Sequence, residues 1–125
     1  MAFAKTVATH VSNQTVAEAT EYALSSITAT DMSTAIGAAD VEGVCTYHSS
    51  ATAGAIVRVY ASSDNSNWGS SPVDQFTMPV TANTTKRWSK TRIPSAKYLK
   101  CTIYNSDAAQ DITASYVYLT YQTGP

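Results

Sequence analysis

Val41, Gly43, Cys45 and Tyr47 alternate with Glu42, Val44, Thr46 and His48, and a period of two with one mostly apolar face predicts a half-buried strand. The period returns where Ala55, Val57, Val59 and Ala61 alternate with Ile56, Arg58, Tyr60 and Ser62. Ser49 to Gly54 joins the two runs with small, polar residues and a glycine free to take a positive φ, so a hairpin is expected. Leu99, Cys101 and Ile103 form a third apolar face against Tyr98, Lys100, Thr102 and Tyr104, and Asn105, Ser106 and Asp107 supply a turn. A last strand starts at Ile112. Its Ala114, Tyr116 and Tyr118 point one way while Val117, Leu119 and Tyr121 point the other, so both faces should be covered, by a second sheet or by a neighbouring subunit.

Phe76, Met78 and Val80 share a face of a short run in which Pro79 lacks a backbone donor, which places it at a sheet edge or strand end. Lys86, Trp88, Lys90 and Arg92 share a face of an extended segment that ends at Ile93 and Pro94. In the first forty residues Val7, Val11 and Val16, then Tyr22, Leu24 and Ile27, are read as two strands; residues 1–15 form a first strand or an extended arm. Frequent threonines weigh against a helix from Ala17 to Leu24, and Thr30 to Ala35 reads as a loop or a single helical turn. The total is about eight short strands with turns between them and no internal repeat. The expected fold is all-β, a single antiparallel β-sandwich of jelly-roll-like order spanning residues 1–125.

Composition supports this reading: eight tyrosines and abundant threonine suit pleated, half-buried surfaces. No apolar run is long enough to cross a membrane as a helix, and the start lacks the basic and apolar regions of a secretory signal, so the product is expected to stay where it is made, with no support for an oxidising compartment. Cys45 and Cys101 lie in apolar alternating runs and are read as buried free thiols, with an inter-sheet disulfide as the alternative. Net charge is −1, yet residues 1–75 carry seven acids and two bases while Lys86, Arg87, Lys90, Arg92, Lys97 and Lys100 supply six of the eight bases. The two halves can attract each other. A near-neutral domain lacks the basic field of a nucleic-acid binder, so copies of itself or an acidic scaffold are the better partners.

Catalytic patterns are missing from the sequence. His10 and His48 are tied to no triad, and HExxH, paired CxxC, GxxxxGK[ST] and GxGxxG do not occur, so no enzyme activity, cofactor or metal is expected. Two places stand out instead. In Ser62 to Trp68, Asp64, Asn65 and Asn67 either shape a turn capped by Trp68 or offer oxygens to a calcium ion or a sugar, the single carboxylate holding calcium weakly and the indole serving as stacking platform for a sugar. Trp88 between Lys86 and Lys90 is either shielded by lysine stems or an interface anchor.

Lys5-Thr6-Val7, the loop at Asp31 to Ala35, the strand Val57-Arg58-Val59-Tyr60 running into Ser63-Asp64-Asn65-Ser66-Asn67-Trp68, Ala96 to Lys100 and the Tyr-rich closing strand together resemble small β-sandwich virion proteins of tailed bacteriophages. The likeness covers nearly the whole chain. It implies a non-enzymatic decoration or cement protein on the outer surface of the virion, with the major capsid protein and copies of itself, such as a trimer, as partners and no membrane or nucleic acid. On that reading Lys86, Arg87, Trp88, Lys90 and Arg92 contact capsid or subunit, and Phe3 and Lys5 reach to a neighbour. The alternatives are a tail or neck adaptor and, because Ser62-x-Asp64-x-x-x-Trp68 also resembles discoidin-like and carbohydrate-binding sandwiches, a glycan-binding module or receptor-binding tip using Asp64, Asn67 and Trp68.

Overall fold

The computed structural model describes residues 4–92 and 96–124. The strands are β1 (Ala4–Val16), β2 (Thr20–Glu21), β3 (Thr30–Asp31), β4 (Ala35–Tyr47), β5 (Ile56–Ser62), β6 (Asp74–Thr77), β7 (Thr85–Arg92), β8 (Tyr98–Asn105) and β9 (Ile112–Thr123), with a single 3-10 turn at Leu24–Ser26. They form two antiparallel sheets, ordered β1-β9-β4-β7 and β2-β8-β5-β6, with β3 also on β8. Setting β3 aside, first pairs with last, second with second-last, and so inward: β1 with β9, β2 with β8, β4 with β7, β5 with β6. A long hairpin folded over on itself in this way is a jelly roll.

The core is built from the alternating faces. Val41, Cys45 and Tyr47 of β4 and Val117 and Leu119 of β9 are buried against Val57 and Val59 of β5 and Leu99, Cys101 and Ile103 of β8. Each fully buried Val, Leu or Ile contributes about 1.5–3 kcal/mol. Both thiols are free and buried, and burial pushes Cys45 up to about 11 and Cys101 up to about 12. At Gly43 the other sheet comes close enough that a Cβ would lie 2.5 Å from Val57 Cγ2 and 2.8 Å from Met78 Sδ.

That face-to-face contact corrects the expected hairpin. β4 and β5 belong to different sheets, so the chain from His48 to Ala55 is an arch across the sandwich. It is held by the Ala55 N–H donating to Tyr47 Oη at 3.0 Å and by Thr52 N–H donating to Asp107 Oδ2 at 2.9 Å. Asp107 is buried and also accepts the N–H groups of Ala109 and Gln110, while Asn105 Nδ2 donates to the carbonyls of Val16 and Gln110. Led by the N–H of Thr52, these donors hold the Asp107 carboxyl down at about 2.

The N-terminal region also differs from expectation. β1 runs to Val16, but Tyr22, Leu24 and Ile27 are not a strand: pairing lasts for two residues, Thr20 and Glu21, before the 3-10 turn. Thr30 and Asp31, expected in a loop, form the short β3. Ile93 and Pro94 lie outside the described residues.

Candidate functional site

β7 carries β-formers Thr85, Trp88 and Thr91 and no glycine or proline, and among the described residues it pairs only with β4. The other side of the strand is a sheet edge. The Tyr47 N–H donates to the Thr84 carbonyl at 3.0 Å, which fixes the phase of the ladder. With Cys45, Gly43, Val41 and Ala39 opposite Lys86, Trp88, Lys90 and Arg92, those four basic and aromatic residues turn their backbone groups toward β4. Thr85, Arg87, Ser89 and Thr91 therefore turn N–H and C=O to the open side.

The same register places the Lys86, Trp88, Lys90 and Arg92 side chains on the core-facing side of the sheet, at the rim where the sandwich ends. Trp88 stands opposite Gly43 and its surface is 52% exposed. Inward-pointing charges on an edge strand oppose edge-to-edge association.

The polarised charge of the sequence is matched in part inside the fold, two of the six clustered bases forming ion pairs among the described residues. Arg87 Nη1 lies 2.6 Å from Glu42 Oε1 on the outer face, and Lys90 Nζ lies 2.8 Å from Asp74 Oδ1, bridging β7 to β6 across the open side of the sandwich. Thr91 donates to the Asp40 carboxylate. Lys86 and Arg92 form no ion pair among the described residues. Glu42, Arg87, Trp88 and Ser89 line a shallow open depression of about 330 Å³. This arrangement offers recognition: free backbone groups at every second residue, a flat exposed indole and flanking cations.

Lys5 is exposed on β1, at the opposite edge of the same sheet, with β9 and β4 between it and β7. One subunit therefore does not bring Lys5 together with the basic strand. Phe3 lies outside the described residues.

The Asp64 loop is closed on itself. Asp64 Oδ1 accepts from the N–H groups of Ser66 and Asn67, each at 2.9 Å, and from Ser62 Oγ, while Oδ2 accepts from Asn67 Nδ2 at 2.7 Å. The N–H of Asn67, then that of Ser66, hold the carboxyl well below the usual carboxylate range. Asn65, at φ 61°, turns the chain in the left-handed conformation that asparagine tolerates. Trp68 is half-buried, with Lys100 Nζ 4.9 Å from its ring centroid. All three residues named for a sugar site, Asp64, Asn67 and Trp68, thus have intramolecular partners.

Two features escaped the sequence. On the outer face of the second sheet, Glu21 receives Arg58 at 3.2 Å and the Tyr60 hydroxyl at 3.1 and 3.2 Å, and Arg58 stacks 4.4 Å from the centre of Tyr104. His10, buried where β1 breaks its register with β9, reaches the second sheet: Nδ1 accepts the Cys101 N–H at 2.8 Å and Nε2 lies 2.7 Å from Thr30 Oγ1. The ring fills the gap beside β8 between β2 and β3, supplying the acceptor that a continuous strand would have offered. Among the described residues no cluster of three His, Cys, Asp or Glu side chains is placed to hold a metal ion.

No family model matches the chain, and no curated protein matches it. Among solved structures, it is similar to a chain of a structure titled “Bacillus endospore appendages form a novel family of disulfide-linked pili”. The two are 14% identical, the match covers 97% of this chain and 87% of that one, and the TM-score is 0.47.

Proposed function

We propose that this protein is a non-enzymatic structural module of an assembled particle, of the type that decorates and cements the heads of tailed phages, and that it docks through the β7 edge. The observation that carries the proposal is Trp88, half-exposed on a regular, open strand whose alternate residues present unpaired backbone groups. Tryptophan and arginine are enriched among the energetic anchors of interfaces. A module that binds only the assembled shell raises the free energy of disassembly, and many weak contacts sum over a lattice.

The test is co-sedimentation of the purified chain with head shells that lack it, against Trp88→Ala. Wild type saturates the shells at a symmetry-related stoichiometry. Losing an anchor worth about 2 kcal/mol weakens affinity about thirtyfold in Trp88→Ala, read as a shift of the binding curve, with thermal unfolding nearly unchanged. Equal occupancy of both proteins would remove β7 from the docking surface, and failure of the wild type to bind would overturn the role.

A further inference from the structure

Resting on the docking reading above, the geometry points to strand addition: β7 takes up an extended segment of a partner protein that carries an acid, an apolar residue and a second acid at alternate positions. Arg87, Ser89 and Thr91 direct their N–H and C=O groups to the open side, a hydrogen-bonding template for one more strand. The register between β4 and β7 is continuous from Ala39–Arg92 to Thr46–Thr85, so the template is regular.

An added strand lies about 4.7–4.9 Å away, and its alternate side chains fall beside Lys86, Trp88 and Lys90 on one face. Lys86 has no ionic partner among the described residues, and the Lys90 side chain, 47% exposed, commits one of its three donors to Asp74. Carboxylates beside the two lysines and an apolar group against the Trp88 indole complete the match. On the opposite face, the residue beside Arg87 and Ser89 meets the shallow depression.

The occupant is not a second copy. Pairing β7 with another β7 about Trp88 sets Lys86 against Lys90, and pairing about Ser89 sets Lys86 against Arg92; like charges directly opposite are unfavourable. Of the other strands at sheet edges, β1 contains no acid, Glu21 of β2 and Asp74 of β6 already hold ion pairs, and Asp31 of the two-residue β3 accepts the Ser33 N–H. Within this chain only Asp107 and Asp111 have the spacing of an acid, two intervening positions about a small apolar residue, and a second acid, and the Asp107 carboxylate is occupied by three backbone donors.

The experiment uses two blocked peptides, Thr-Glu-Thr-Val-Thr-Glu-Thr and its counterpart with lysine for glutamate, titrated into the full chain while amide exchange is followed residue by residue. The glutamate peptide should slow exchange at Arg87, Ser89 and Thr91 and bind at least about tenfold tighter than the lysine peptide, a preference that added salt erodes. Ser89→Pro removes an N–H that serves no bond within the sheet, so it should abolish peptide binding and leave the fold intact. Lys86→Glu with Lys90→Glu should reverse the peptide preference. Strand addition is overturned if these amides stay unprotected at millimolar peptide, or if the two peptides bind alike. If shells still bind wild type and Ser89→Pro equally while the peptide does not bind, docking stands and strand addition falls; if neither shells nor peptide bind, both fall.

Discussion

His10 ties acid stability to a single ring. Its Nδ1 accepts the Cys101 N–H at 2.8 Å, so the neutral ring carries its proton on Nε2 and donates it to Thr30 Oγ1 at 2.7 Å. A second proton on Nδ1 would face a donor. Burial, with Lys100 nearby, lowers the pKa from 6.5 to about 4. A base whose folded pKa is depressed contributes stability that is full above the unfolded value and is lost as pH falls from 6.5 toward 4. At about 1.4 kcal/mol per pH unit the whole shift is worth about 3 kcal/mol, of which about 2 kcal/mol is gone by about pH 5. The assay is urea unfolding at about pH 7.5 and about pH 5 for the wild type and for His10→Gln, which cannot titrate there. Wild type should lose about 2 kcal/mol more than the variant on acidification. Parallel losses in the two proteins would refute the assignment of the buried neutral ring.

Other expectations follow from packing and burial. Gly43→Ala places a methyl 2.5 Å from the stiff Val57 Cγ2, so despite better strand entropy it should cost about 1–3 kcal/mol in denaturant midpoint measurements. Cys45 and Cys101, buried and with their pKa values raised, should react with a thiol reagent at neutral pH only at the rate of global opening, and fast labelling of the folded chain would contradict their placement. Asp107→Asn replaces an oxygen that accepts backbone N–H groups with a competing donor; it should lower the unfolding midpoint at neutral pH and remove the stability that wild type loses as pH falls from 3.8 toward 2.

How much could be read in advance follows from what a period of two records. Alternation reports which face a residue shows, so the buried faces of Val41 to Tyr47, Val57 and Val59, and Leu99 to Ile103 were legible, and with them the sandwich. It does not report the neighbour. Two amphipathic strands joined by a short polar link look the same whether they pair side by side or stack face to face, and the small residue at position 43, which permits stacking, reads as one more member of the alternation. Trp88 and its basic companions were legible on one face for the same reason. Their pairings were not: Glu42 precedes Arg87 by 45 residues and Asp74 precedes Lys90 by 16. His10 reaches a backbone group 91 residues away.

A jelly roll leaves both sheets with open edges, and this chain protects them by different means. β2 and β3 have two residues each and β6 has four, too short to template another strand. β1 is long, but its ladder with β9 shifts register at three places, and Asn13 sits at φ 50°, so its edge is kinked. β7 alone among these is long and unbroken in register, and its defence is the row of bases on the core-facing side of the rim. Short or kinked strands refuse every partner. A charged regular strand refuses copies of itself and other bases but not an acidic strand, and on the strand-addition proposal the residues that oppose self-pairing are the ones that select the partner.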